Sequence, residues 1–343
     1  MHLSKGKGGF TLVEVLIAMV IGLFLMGGVI ELFLSTKTSI RLQQQMGYLQ
    51  ENGRMAMELL SKQIRNADYW GCSNNSNVGS VINTASPAYD PIKHGGPDAS
   101  NGIGGTNNTG LNGSDTITLR GFSSSDSIGI DKDQPQAASI GADSVGDLQQ
   151  GDVVMISNCK GADIFQITND PQTSGQIIIH SIGNTVAPGN AATYTTDGTA
   201  ATSKKVCNDC LHQSYAGGDA TIGKVNTTTL SINTGASGEP ALFMTDSILC
   251  ITSCELVEGI ENMQILYGED TDGDLSVNQY VTANNVTDMN NVISVQVSLL
   301  ARTEKTVATS AQTYTYNGAT VTSTDNRLRK VYTSTITIRN RMQ

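Results

Sequence analysis

Hydrophobic and polar positions follow three different periods along the chain. Residues 15–30 form an uninterrupted apolar run, entered through Phe10-Thr11-Leu12-Val13-Glu14. At about 1.5 Å per residue, residues 10–30 of a helix span roughly 31 Å, the thickness of a bilayer's hydrocarbon core. Beyond the run, Leu42, Met46, Leu49, Gly53, Ala56, Leu60 and Ile64 recur at steps of four and three, which predicts one buried stripe of a helix. Gln43, Gln44, Glu51, Arg54, Glu58 and Lys62 lie mostly off the stripe. A coiled-coil partner could use it, but packing on a sheet of the same domain is the expectation. From Tyr69 onward the helical period is lost.

Residues 73–112 are rich in Asn, Gly, Ser and Pro and read as a long loop. Short β-prone runs follow at 115–119, 152–157, 164–168 and 176–182, with 158–163 as a hairpin-like connection. Residues 183–240 give only weak strand signals. Strands at 263–267, 292–300 and 331–338 are clearer, and Ile293, Val295, Val297 and Leu299 alternate as on a half-buried strand. The pattern predicts an α+β protein. A long N-terminal helix, membrane-spanning and then amphipathic, packs on an antiparallel sheet, and a large β- and loop-rich insert lies between them. The expected segments are 1–9 (basic leader), 10–34 (membrane helix), 35–68 (its amphipathic continuation), 69–255 (insert) and 256–343 (C-terminal sheet). No internal repeat is present.

The first nine residues hold Lys5 and Lys7 and no acid, so this flank should stay in the cytoplasm and the bulk of the chain should be exported. A cleaved secretory signal fits poorly. Its apolar core is usually ~7–15 residues long, and Met26-Gly27-Gly28 is not an Ala-x-Ala-like cleavage site. Glu14 is the odd residue: a carboxylate inside a span costs a few kcal/mol. It either sits solvated at the interface or has a task. Gly22, Gly27 and Gly28 weaken the helix and suit either close packing or local melting.

Composition narrows the function. Charged residues are 15% of the 343, against a typical ~25%, and Gly occupies 36 positions. This suits an exported, loop-rich β protein. A net charge of −10 without a basic block points away from nucleic acid. No phosphate-binding glycine loop, His-Glu-x-x-His or Gly-x-Ser-x-Gly string occurs, so no enzyme is indicated.

Cys72, Cys159, Cys207, Cys210, Cys250 and Cys254 all lie beyond the span, an even count that reads as disulfides in an exported chain. Cys207-x-x-Cys210 with Cys250-x-x-x-Cys254 also has zinc-like spacing, and Cys207-x-x-Cys210 alone has redox spacing without a surrounding βαβ pattern. Of fifteen connectivities, Cys207–Cys210, Cys250–Cys254 and, by elimination, Cys72–Cys159 are favoured. Glu269, Asp270, Asp272 and Asp274 crowd one turn; oxygens at alternate positions suit Ca²⁺, with Asp270, Asp272 and Asp274 as ligands. An EF-hand would need Gly and Glu where Leu275 and Val281 stand, so a solvated acidic turn is the alternative. His2, His94, His180 and His212 are scattered and read as surface residues.

Gly8-Gly9-Phe10-Thr11-Leu12-Val13-Glu14 behind a basic leader resembles the class III signal of type IV prepilins. The resemblance implies cleavage by a prepilin peptidase between Gly9 and Phe10, methylation of the new N-terminus, and a role for Glu14 in assembly through a neighbour's N-terminal amine. Loss of Lys5 and Lys7 would leave 19 basic against 31 acidic residues, a net of −12. A second set of strings resembles the PilW family of minor pilins. It comprises Leu256-Val257-Glu258-Gly259-Ile260-Glu261-Asn262-Met263-Gln264, Tyr267-Gly268, Asp270-Thr271-Asp272-Gly273-Asp274, the 292–300 strand, Thr335-Ile336-Thr337-Ile338-Arg339-Asn340-Arg341 and Ala67-Asp68-Tyr69-Trp70-Gly71-Cys72.

That resemblance implies a pilin-like fold and a low-abundance subunit of the complex that primes pilus assembly and sits at the tip. The implied partners are the major pilin, other minor pilins, the prepilin peptidase, the inner-membrane assembly platform and a non-pilin tip adhesin. The protein would be single-pass in the bacterial inner membrane with its bulk periplasmic, and at the pilus tip after assembly. A type II secretion pseudopilin, or an adhesin or DNA-uptake receptor using the insert, are the competing readings.

Overall fold

A computed structural model describes residues 11–71, 78–90, 94, 102–122, 127–131, 138–183, 186–196, 199–200, 211, 213–248 and 250–342. Helix α1 runs without a break over Leu12–Asn66. Its sequence contains no proline, and its first turn is closed by a capping box at Thr11 and Glu14. It ends where Ala67 turns extended and Asp68 takes a positive φ of 61°. The predicted stripe faces the domain's own sheet: Leu49, Gly53, Ala56, Leu60 and Ile64 are buried. Two positions differ from expectation. Met46 is exposed and Leu42 half-buried, while Gln45 is buried, because the Gln45 Oε1 accepts the backbone N–H of Lys305 at 3.1 Å where the domain first meets the helix.

In chain order the strands of the insert are β1 (Val78–Ile82), β2 (Ile103–Thr106), β3 (Thr116–Phe122), β4 (Ile128–Gly129), β5 (Ser139–Gly141), β6 (Val153–Asn158), β7 (Gly161–Gln166), β8 (Ile177–Ile179), β9 (Asn190–Thr196) and β10 (Thr199–Ala200). There follow β11 (Thr221–Thr234), β12 (Pro240–Asp246) and β13 (Cys254–Glu258). Among the described residues, one sheet runs β10-β9-β1-β7-β6-β11-β12-β13, with β3 and β4 also on β11 and β2 on β3. Pairing is antiparallel except between β1 and β7. The expected 158–163 connection is shorter, since Asn158 pairs with Gly161.

The 73–112 stretch read as loop contains β1 and β2, and the weakly signalled 183–240 stretch contains β11, the spine of the sheet. β11 pairs with β6 over Thr221–Lys224 and with β3 and β12 further on. It therefore carries Ile222 into a core with Val154, Ile156, Phe165 and Ile178, and Leu230 and Ile232 into the core beneath α1. His180, expected at the surface, is buried with its ring 5.0 Å from that of Phe165.

The C-terminal sheet follows the alternation seen in the sequence. Its strands are β14 (Ile260–Glu269), β15 (Gln279–Val281), β16 (Val292–Arg302) and β19 (Arg329–Thr337), ordered β15-β14-β16-β19 and antiparallel throughout. β17 (Thr313–Tyr316) and β18 (Ala319–Thr322) form a separate hairpin. Met263 opposes Leu299, Ile265 opposes Val297, and Val295 opposes Ile336, which builds the apolar face that receives α1. One long apolar N-terminal helix on antiparallel-rich sheets is the expected α+β, pilin-like plan.

Candidate functional site

The first site is the apolar end of α1. Gly9 and Phe10 lie outside the described residues; Glu14 lies within them. Its Oε2 accepts the Thr11 backbone N–H at 3.0 Å and the Thr11 hydroxyl at 3.1 Å, and its own N–H donates to Thr11 Oγ1 at 3.3 Å. The carboxylate is therefore satisfied within its own chain. A Ser/Thr-x-x-Glu string before an apolar run is the sequence signal of this capping box, and reading Glu14 only as a partner for another subunit misses it. From Leu12 to Leu34 the helix is exposed along its whole length, with Phe24 at 80% and Leu12 at 77%. Added Cβ atoms at Gly22, Gly27 and Gly28 would meet nothing within 4 Å, so none of the described residues packs on them. The helix is long and apolar enough to cross a membrane.

The second site is the joint that fixes this helix to the folded domain. Asp68, buried at the end of α1, accepts Trp70 Nε1 at 2.6 Å and the Gly102 N–H at 3.1 Å, and pairs with Arg341 Nε. Arg341 Nη1 donates to the Val292 carbonyl at 2.7 Å and also to the Met289 carbonyl. Asn340 Nδ2 donates to the Ala67 carbonyl at 2.8 Å. Higher on the helix, Tyr332 donates its hydroxyl to the Leu49 carbonyl at 3.2 Å, and its ring lies over Gly53, where an added Cβ would collide with it. Helix end, insert and last residues of the chain thus share one buried polar cluster.

An ion-pair network braces the neighbouring face. Glu239 binds Arg302 at 2.5 Å and Arg327 at 2.5 and 2.8 Å, and Glu261 binds Arg329 at 2.7 and 3.1 Å. The Arg327 guanidinium, then that of Arg302, holds the Glu239 carboxyl down at about 2 against the opposing effect of burial.

Of the cysteines, Cys250 and Cys254 form a disulfide with Cα atoms 5.9 Å apart, and Cys159 is also disulfide-bonded. Cys72, Cys207 and Cys210 lie outside the described residues. The acidic turn does bring its three residues together: Asp270, Asp272 and Asp274 each offer a carboxylate oxygen within 4.8 Å of the others. Its shape comes from its own backbone. Asp270 accepts the N–H groups of Asp272 at 3.3 Å, Gly273 at 2.7 Å and Leu275 at 2.9 Å. Burial pushes the Asp270 carboxyl up, but these donors outweigh it and hold the group below its ordinary value. Glu269 turns away, accepting from Thr287, Asp288 and Gln279.

A capped, exposed apolar helix anchored on an antiparallel sheet defines a pilin-like subunit, and the comparisons with known proteins agree. Residues 4–30 match the prokaryotic N-terminal methylation motif, and residues 229–340, from within β11 to beyond β19, match the type IV pilus-assembly protein W family. No curated protein matches the chain. The protein is a type IV pilus-related pilin that carries a PilW region and an N-terminal methylation motif. Such a pilin is membrane-anchored, structural, and associates with other pilus components.

Proposed function

We propose that this pilin is a minor subunit of the complex that primes type IV pilus assembly and then occupies the pilus tip, serving twitching motility and adhesion. The observation that carries the reading is the PilW match on a domain whose N-terminal helix is exposed over its first thirty residues, 12–41. Prepilin peptidase cuts between Gly9 and Phe10 and the new amine is methylated. The bulk of the chain is periplasmic until the inner-membrane platform passes the subunit into the filament. There the apolar helix exchanges lipid for the helices of the major and other minor pilins, and Glu14 can face a neighbour's amine. A non-pilin adhesin at the tip is a further partner.

Co-purification of the mature protein from membranes should recover other minor pilins, and N-terminal mass spectrometry should find N-methylated Phe10. An intact Met1 overturns the processing. Deletion should abolish pili and twitching. Lost exoprotein secretion with intact pili would instead make it a type II pseudopilin, and intact pili with lost surface attachment or DNA uptake would make it a tip-binding module.

A further inference from the structure

The globular domain first covers α1 at Gln45, so the 303–307 connection after β16, which meets Gln45 through Lys305, is the rim nearest the membrane. A groove of about 440 Å³ opens there, lined by Arg41, Gln44, Gln45, Lys305, Thr306 and Val307. Among the described residues, Arg41 and Lys305 enter no ion pair, and neither do Lys330 and Arg339, whereas Arg302, Arg327, Arg329 and Arg341 are paired with acids. Residues 35–50 contain Lys37 and Arg41 and no acid, and Lys37 lies one turn before Arg41 on the same helix face. Glu304, beside Lys305, is the acid of the rim.

Depth makes the chemistry specific. Arg41 follows Leu34, the end of the expected membrane segment 10–34 and three residues past Glu31, by seven residues, about 10 Å of helix. Helical side chains lean toward the N-terminus, here toward the membrane, and arginine extends its charged end to the headgroups while its stem stays along the helix. The headgroup layer adds roughly 5–7 Å on each side of the hydrocarbon. We propose that Arg41 and Lys305, assisted by the Gln44 amide and the Thr306 hydroxyl, bind the phosphate of an anionic phospholipid on the exported face. They would hold the domain against the bilayer until the subunit is withdrawn into the filament. The inference rests on the apolar helix spanning the membrane with the domain outside it.

The test uses the full chain in vesicles of phosphatidylcholine alone and of phosphatidylcholine mixed with phosphatidylglycerol. Acylation of Lys305 by a neutral amine reagent is read by peptide mass spectrometry against exposed Lys330 as internal reference. A basic side chain near an anionic surface is worth about 1 kcal/mol, so two should slow Lys305 acylation roughly thirtyfold in the mixed vesicles. Arg41→Gln should remove most of the protection, and added salt should remove it as well. Equal rates in both vesicles overturn the proposal. So does protection by inorganic phosphate in phosphatidylcholine vesicles, which marks a free-anion site, or protection that needs co-reconstituted pilins regardless of lipid, which marks a subunit contact. Each of these failures leaves the pilus reading intact, because that reading is judged by processing, partners and deletion.

Discussion

Replacing Arg341 by methionine should loosen the joint between helix and domain more than any surface change. Arg341 and Asp68 have side chains 6% and 2% exposed, and they meet across 273 residues of sequence. Methionine fills similar space but leaves the Asp68 carboxylate with only the Trp70 and Gly102 donors, and it orphans the Met289 and Val292 carbonyls that Arg341 serves. Removing one partner of a buried ion pair costs about 3–5 kcal/mol, because the remaining charge stays desolvated. At about 2–4 °C per kcal/mol for a large domain, melting of the full chain in detergent should fall by roughly 6–20 °C. Asp68→Asn in the Arg341→Met background removes the stranded charge, so the double variant should be more stable than Arg341→Met alone. Simple additivity of the two substitutions, or a loss under about 1 kcal/mol for Arg341→Met, would refute the clamp.

Four further outcomes follow from the geometry. Glu14→Gln should leave leader cleavage and membrane levels normal but reduce recovery in the priming complex and the number of pili; wild-type piliation, or a failure of cleavage, would count against an assembly role. Gly53→Ala should destabilise by about 1–3 kcal/mol through displacement of the Tyr332 ring, despite alanine's helix propensity, and Tyr332→Ala should relieve that clash; an increase in stability would disprove the close approach. Because Arg327 holds the folded Glu239 carboxyl near 2 against an ordinary 4.5, its stabilising contribution is full above about pH 4.5 and is lost as pH falls toward 2. Arg327→Gln should flatten that acid limb of the stability curve. We also propose that the 270–274 turn takes Ca²⁺: calcium should raise the melting temperature and Asp272→Ala should abolish the rise, by about 2.7 kcal/mol at a hundredfold excess over Kd, whereas identical curves with calcium and EDTA would leave a solvated turn.

The elements that local periodicity specifies were legible in the sequence. The apolar run and the 3.6-residue stripe place α1, because every residue of a helix bonds within its own segment and the pattern needs no distant partner. The alternation in β16 and the apolar runs of β14 and β19 survive for a related reason, since one face of each meets the same core. The capping box at Thr11 and Glu14 is equally local, but reading Glu14 as an assembly residue passes over it. What only tertiary structure decided lies where pairing overrides composition. β11 reads as Thr-, Asn- and Gly-rich sequence, yet it becomes the longest described strand because β3, β6 and β12 satisfy its backbone from both sides. β1 and β2 emerge from a stretch full of turn residues for the same cause. Met46 and Gln45 exchange places because the rim of the domain, not the helix period, sets where burial begins. Asp68 and Arg341 could not be paired from sequence, because a single contact between distant residues leaves no periodic trace.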